Sequence, residues 1–197
     1  MAFNEFEQDT SKFFLHAVNV LLQVINERPI ENPEDLDNIE EARFASNVLL
    51  ETKREVLADG WDINIDKDYV LPLDTAGYIN IPYNVLDLSS TDGDLVMRDW
   101  KLYSKKNQTQ RFDDAQKVDV VWDLEFNSLP QPLRNYITVK AARKFQARQV
   151  MDKSVYSYTQ QDEELARVTA RRSDGRTTRS NTYTSSYGVQ YMVDGGL

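Results

Sequence analysis

The chain of 197 residues has no cysteine and a single histidine. The first absence excludes disulfides, thiolate nucleophiles and Cys-ligated zinc. The second removes metal sites built from His pairs and leaves one imidazole as a candidate base. That residue, His16, lies among apolar neighbours in a helical segment, where a structural histidine outweighs a catalytic one. There is no G-x-S-x-G, no H-E-x-x-H and no Walker loop. No apolar run approaches the roughly 20 residues that span a bilayer, and the opening MAFNEFEQDT is acidic. The expectation is a chain that is neither a secretory precursor nor inserted in a membrane, without cofactor, metal or catalytic residues. The enzymatic alternative is a glycan or peptidoglycan hydrolase working with two of the 32 acidic residues, and the sequence marks no such pair.

What is there is charge, unevenly placed. The net charge is -9, yet Met1 to Phe126 holds 12 basic residues against 26 acidic ones, and Asn127 to Leu197 holds 11 against 6. An acidic body with a basic C-terminal portion can present a tail to a complementary partner.

Hydrophobic spacing orders the chain. Phe14, Ala17, Val18, Leu21, Leu22 and Ile25 recur at helical intervals, and Glu27-Arg28-Pro29 ends that helix. Asn32-Pro33 restarts one, with a stripe through Ala42, Ala45, Leu49, Thr52 and Val56. Gly60 stands where a left-handed C-cap belongs. From Trp61 the period falls to two: Trp61, Ile63 and Ile65 alternate with Asp62, Asn64 and Asp66. Further strands are expected around Tyr78–Ile81 and from Val118 to Leu124, and Asp92-Gly93 gives a hairpin signal between Val85–Ser90 and Leu95–Tyr103. Helical spacing returns through Leu133, Ile137, Ala141 and Phe145, followed by a thin helix over about Tyr158 to Arg172.

These segments predict an α+β fold. An antiparallel helix bundle is formed by residues 1–60 and 127–172. A small antiparallel β-sheet or partly closed barrel, residues 61–126, is inserted in it. Gly60 and Trp61 form the hinge between them, and residues 173–197 form a flexible C-terminal tail.

Two stretches invite a ligand. Asp62-x-Asn64-x-Asp66 opens like a calcium-binding loop, but Lys67 stands where glycine is required and Leu73 where the bidentate glutamate is required. A strand showing carboxylates to water is the better reading. The C-terminal portion combines Arg171, Arg172, Arg176 and Arg179 with Tyr183, Tyr187, Tyr191 and Met192. Such a mixture can hold phosphate and stack bases, yet a sequence pI near 4.7 opposes the usual footprint of a DNA binder. An acidic protein surface is the expected partner.

Four groups of residues carry a resemblance. They are Leu15-x-Ala17-Val18-Asn19-x-x-Leu22 with Ile25-x-Glu27-x-Pro29-Ile30; Gly60-Trp61 with Asn64-Ile65; Tyr103 followed by Gln110-Arg111-Phe112-Asp113; and Leu129-Pro130 leading to Arg134-x-Tyr136-Ile137-x-x-Lys140-Ala141 and Arg143-x-Phe145. In this order and spacing the chain resembles the tail tubular protein A family, the tail adaptors of short-tailed bacteriophages (podoviruses). The resemblance covers Phe14 to Val150 well, the next helix loosely and the tail poorly. It implies a structural virion protein of the tail, assembled in the host cytoplasm. It further implies a homo-oligomeric ring, commonly of twelve subunits, between the portal protein and the tubular nozzle protein. Tail fibres attach near that junction, and DNA passes through the channel without specific binding.

Overall fold

The computed structural model describes residues 3–149 and 158–185, with side chains described for 12–149 and 158–175. Two compact units divide the chain: residues 1–49 with 130–197, and residues 50–129.

The first unit is helical. Helix α1 (Phe3–Gln23) buries Ala17, Val18, Leu21 and Leu22, the positions its periodicity marks. It ends in a Schellman motif: Glu27 N–H donates to the Leu22 carbonyl (3.0 Å) and Asn26 N–H to that of Gln23 (3.1 Å). Asn26 supplies the left-handed residue, with φ +60°. The returning segment is then fastened to α1, because the Asn19 side chain bonds both the N–H and the carbonyl of Ile30 at 2.9 Å. A short 3-10 turn, Pro33–Leu36, precedes α2 (Glu40–Ala58), of which residues up to Leu49 belong to this unit. Helix α3 (Gln131–Gln149) buries Leu133, Tyr136, Ile137, Ala141 and Phe145, and the Phe145 ring lies 5.5 Å from that of Phe44. His16 is exposed on α1, not packed.

Helix α4 runs over Gln160–Ser185. It starts at a capping box: Thr159 Oγ1 accepts from Asp162 N–H (3.2 Å), and the Asp162 carboxylate accepts from Thr159 N–H (2.8 Å). Among its described side chains Ala166 and Ala170 are buried, small residues that let it approach α3 closely. The helix runs on through Ser173 to Ser185, into the segment expected as the tail. Serine, threonine and Gly175 lower helix propensity there without ending the helix.

The second unit holds two small antiparallel sheets and no closed barrel. Strands β1 (Ile65–Leu71), β2 (Val85–Ser89) and β5 (Gln116–Trp122) form one in the order β1-β5-β2; β3 (Leu95–Arg98) and β4 (Lys101–Ser104) form the other. Leu71, Ile79, Ile81, Val85, Leu88, Leu102, Val118 and Val120 make a common core. Burying these side chains supplies the main stabilisation, at about 1.5–3 kcal/mol for each large one.

Tyr78–Ile81 makes only isolated bridges, Tyr78 to Arg111 and Asn80 to Lys101, in place of the expected strand, and two turns also differ from expectation. Asp62–Asn64 is a 3-10 turn, so Ile63 points outward and Asn64 is buried, the reverse of the alternation read from the sequence. The Asp92-Gly93 turn is present, with Gly93 N–H bonding the Ser90 carbonyl at 2.9 Å, but it joins strands of different sheets. The two-residue hairpin is instead Asp99-Trp100, both left-handed (φ +54° and +57°), closed by the Arg98–Lys101 pair. That is the backbone of a type I′ turn built without glycine.

Candidate assembly surfaces

Exposed charged and aromatic side chains are the candidates to meet another protein. Among the described residues no group of histidine and carboxylate side chains is arranged to hold a metal ion, and no helix is long and apolar enough to cross a membrane.

The first surface lies on α4. Its packing leaves Leu165 69% exposed, and Arg167, Arg171 and Arg172 are exposed on the same helix. Acidic neighbours temper two of these cations: Glu164 lies 3.1 Å from Arg167, and Asp174 lies 3.9 Å from Arg171. The helix is held to α3 by Arg143, whose Nε donates to Glu163 at 2.5 Å. Of the partner-binding candidates, Arg171 and Arg172 are thus placed on one exposed helix. Arg176, Arg179 and Tyr183 continue along its backbone, while Tyr187, Tyr191 and Met192 lie outside the described residues.

The Gly60-Trp61 junction is the second feature, and it falls within residues 50–129. Gly60 is left-handed, φ +71°, and its N–H bonds the Leu57 carbonyl at 3.0 Å. In a Schellman cap the next backbone N–H would take the Val56 carbonyl. Here the Trp61 indole Nε1–H takes it instead (2.7 Å), and the Trp61 backbone N–H donates to Asn64 Oδ1 (2.8 Å). Asn64 Nδ2 donates in turn to the carbonyls of Leu57 and Trp122. A single buried asparagine so joins the end of α2, the turn and β5. This accounts physically for the Gly60-Trp61 and Asn64-Ile65 pairs.

A third surface was not read from the sequence. Tyr78 lies beneath two cations: Lys101 Nζ is 4.3 Å and the Arg111 guanidinium 5.5 Å from its ring centre. Arg111 Nε also donates to the Tyr78 hydroxyl, which with its positive charge holds the phenol below its ordinary pKa. Arg98 stacks 3.8 Å over Tyr103, and Trp100, at the hairpin tip between Arg98 and Lys101, is 51% exposed. Arg98, Lys101 and Arg111 come from separate strands and a loop. No local run announces them; the only signal was the Tyr103…Gln110-Arg111-Phe112 group.

A family profile described as tail tubular protein matches residues 15–180. The chain belongs to the tail tubular protein family. Tail tubular protein A of Klebsiella phage KP34 is 29% identical over 137 residues, covering 64% of this chain and 69% of that protein. Tail tubular proteins are structural components of the bacteriophage virion, in its tail, and not enzymes. The match takes in the helices α2 and α3, all five strands and much of α4, so the family assignment rests on both units.

Proposed function

We propose that this tail tubular protein is the adaptor and gatekeeper ring joining the portal to the tail nozzle, lining part of the DNA ejection channel and offering an attachment site for fibres. The observation that carries the reading is the family match running across both units. Subunits, twelve in this reading, assemble head to tail, and the ring meets the portal on one side and the nozzle on the other. Charge supports the role: an acidic body repels the phosphates of passing DNA and lets the strand slide without binding. The arginines of α4, Arg171 and Arg172 with Arg176 and Arg179 beyond, are proposed to dock on an acidic portal surface. Gly60 and Trp61 are proposed to set the direction in which the chain leaves α2.

The test is to image the purified chain mixed with its portal and, separately, with its nozzle protein. A ring seated between the two is expected, and native mass spectrometry of that ring counts its subunits. A chain that bound neither protein, or that formed the nozzle itself, would refute the adaptor reading while leaving the family intact.

A further inference from the structure

The second unit is electrically polarised along its own chain. From Asp59 to Asp74 the aspartates 59, 62, 66, 68 and 74 face one cation, Lys67; between Arg98 and Arg111 the cations Arg98, Lys101, Lys105, Lys106 and Arg111 face one acid, Asp99. Within these stretches Asp66 and Asp68 lie on β1, and Arg98 and Lys101 on β3 and β4 of the other sheet, while Asp74 lies near Lys101 and Tyr78. Among the described residues Arg98, Lys101 and Arg111 form no ion pair, although rings hold all three in place. Asp66 and Asp68 are likewise exposed and form no ion pair.

The apolar residues repeat the asymmetry. Trp100 occupies a left-handed position that costs a non-glycine residue about 1–2 kcal/mol, and its ring is half in water. Its carbonyl, bonded by Ile81 N–H at 2.9 Å, keeps the tip in place. On β1, Tyr69 and Val70 are exposed beside the aspartates. No strand pairs with the outer edge of β1 among the described residues.

We propose that the hairpin face of Arg98, Trp100, Lys101 and Arg111 docks on the Asp66–Val70 edge of a second copy of this chain. The proposal rests on the ring reading above and names its contact. Cations already held against rings lose little freedom on binding, and guanidinium with carboxylate is the strong pairing. Trp100 against Tyr69 and Val70 supplies the desolvated centre that such contacts need. Because the two faces are different, the contact is heterologous and passes from copy to copy. Nucleic acid is the less favoured occupant, since the chain as a whole carries net negative charge.

The absence of cysteine allows a clean test. Chains carrying Asp99→Cys are mixed with chains carrying Lys67→Cys, exposed positions beside the centre of the contact, both full length, and oxidised. A disulfide-linked mixed dimer is expected, and its loss when Arg98→Glu and Lys101→Glu are added to the first chain. In sedimentation, Arg98→Glu/Lys101→Glu/Arg111→Glu is expected to weaken self-association by about tenfold or more. An edge variant, Asp66→Lys/Asp68→Asn, is expected to weaken it as well, and a mixture of the two variants to recover it. Asparagine at 68 keeps a residue that tolerates φ +52°; circular dichroism checks that both variants fold. Oligomers that persist in both variants overturn this contact and leave the ring standing. Loss of duplex DNA binding with unchanged self-association also overturns it, by giving the patch to nucleic acid. A chain that gives no mixed dimer, and stays monomeric even with its portal, overturns the contact and the ring together.

Discussion

Lys53 and Asp123 approach to 2.8 Å with the ammonium-bearing side chain only 7% exposed and the carboxylate side chain 17%. The ammonium is aligned with the Leu124 carbonyl (2.9 Å), and it meets Asp123 as a charge without an aligned hydrogen bond. Arg54 adds a second cation at 3.4 Å from Asp123. Removing Asp123 strands a buried ammonium, whereas removing Lys53 leaves the carboxylate with Arg54. Asp123→Ala is therefore expected to cost about 3 kcal/mol and Lys53→Met less, with Lys53→Met/Asp123→Leu recovering much of the loss. Urea denaturation of the three variants gives the order; equal losses for the two single variants would contradict it.

Gly60 and Gly93 separate two causes of strain. Both are left-handed, at φ +71° and +67°, but an added Cβ meets Ile65 Cδ1 at 3.2 Å only at Gly60; at Gly93 nothing lies within 4 Å. Gly93→Ala should lose about 1 kcal/mol from backbone strain alone. Gly60→Ala should lose more, because Ile65 must also move. Thermal unfolding of the pair measures the difference.

Asp74 governs acid behaviour locally. Its carboxyl accepts the backbone N–H of Tyr78, and also that of Ala76 and the Asn80 amide, which hold it below its ordinary value of 3.8. A folded pKa below the unfolded one contributes stability that is complete above the ordinary value and is lost as pH falls through the folded value. Asp74→Asn should therefore flatten the pH dependence of unfolding below about pH 4 and change its slope little near pH 7. Chemical denaturation at several pH values tests the sign.

Truncation before Ser173 removes the end of α4 but keeps Glu163, Ala166 and Ala170, the residues that hold the helix to α3. The shortened chain should fold, lose helical signal in proportion to the residues removed, and bind its portal more weakly. Circular dichroism with a portal pull-down reads both. An unfolded product would place the removed segment in the core.

What could be read in advance follows from how local the determinants are. The stripe of Ala17, Val18, Leu21 and Leu22 and the four-residue spacing from Leu133 to Phe145 translate directly into buried helix faces. Asn64 escaped because its burial depends on three hydrogen bonds that no period encodes. Asp99-Trp100 escaped because its left-handed turn is held by β3, β4 and the Ile81–Trp100 bond, without glycine. The α4 surface was legible as composition. The hairpin patch was not, since tertiary contacts bring Tyr78, Arg98, Lys101 and Arg111 to one place.

The outer strand of the larger sheet is also interrupted. Register slips between Asp66 and Tyr69, and Asp68 turns left-handed with its N–H given to the Asp119 carboxylate at 3.0 Å. An exposed strand edge is otherwise a template for strand-on-strand growth, and a charged bulge breaks that template. The kink thus blocks sheet growth through the backbone at this edge while leaving its exposed side chains open to contact.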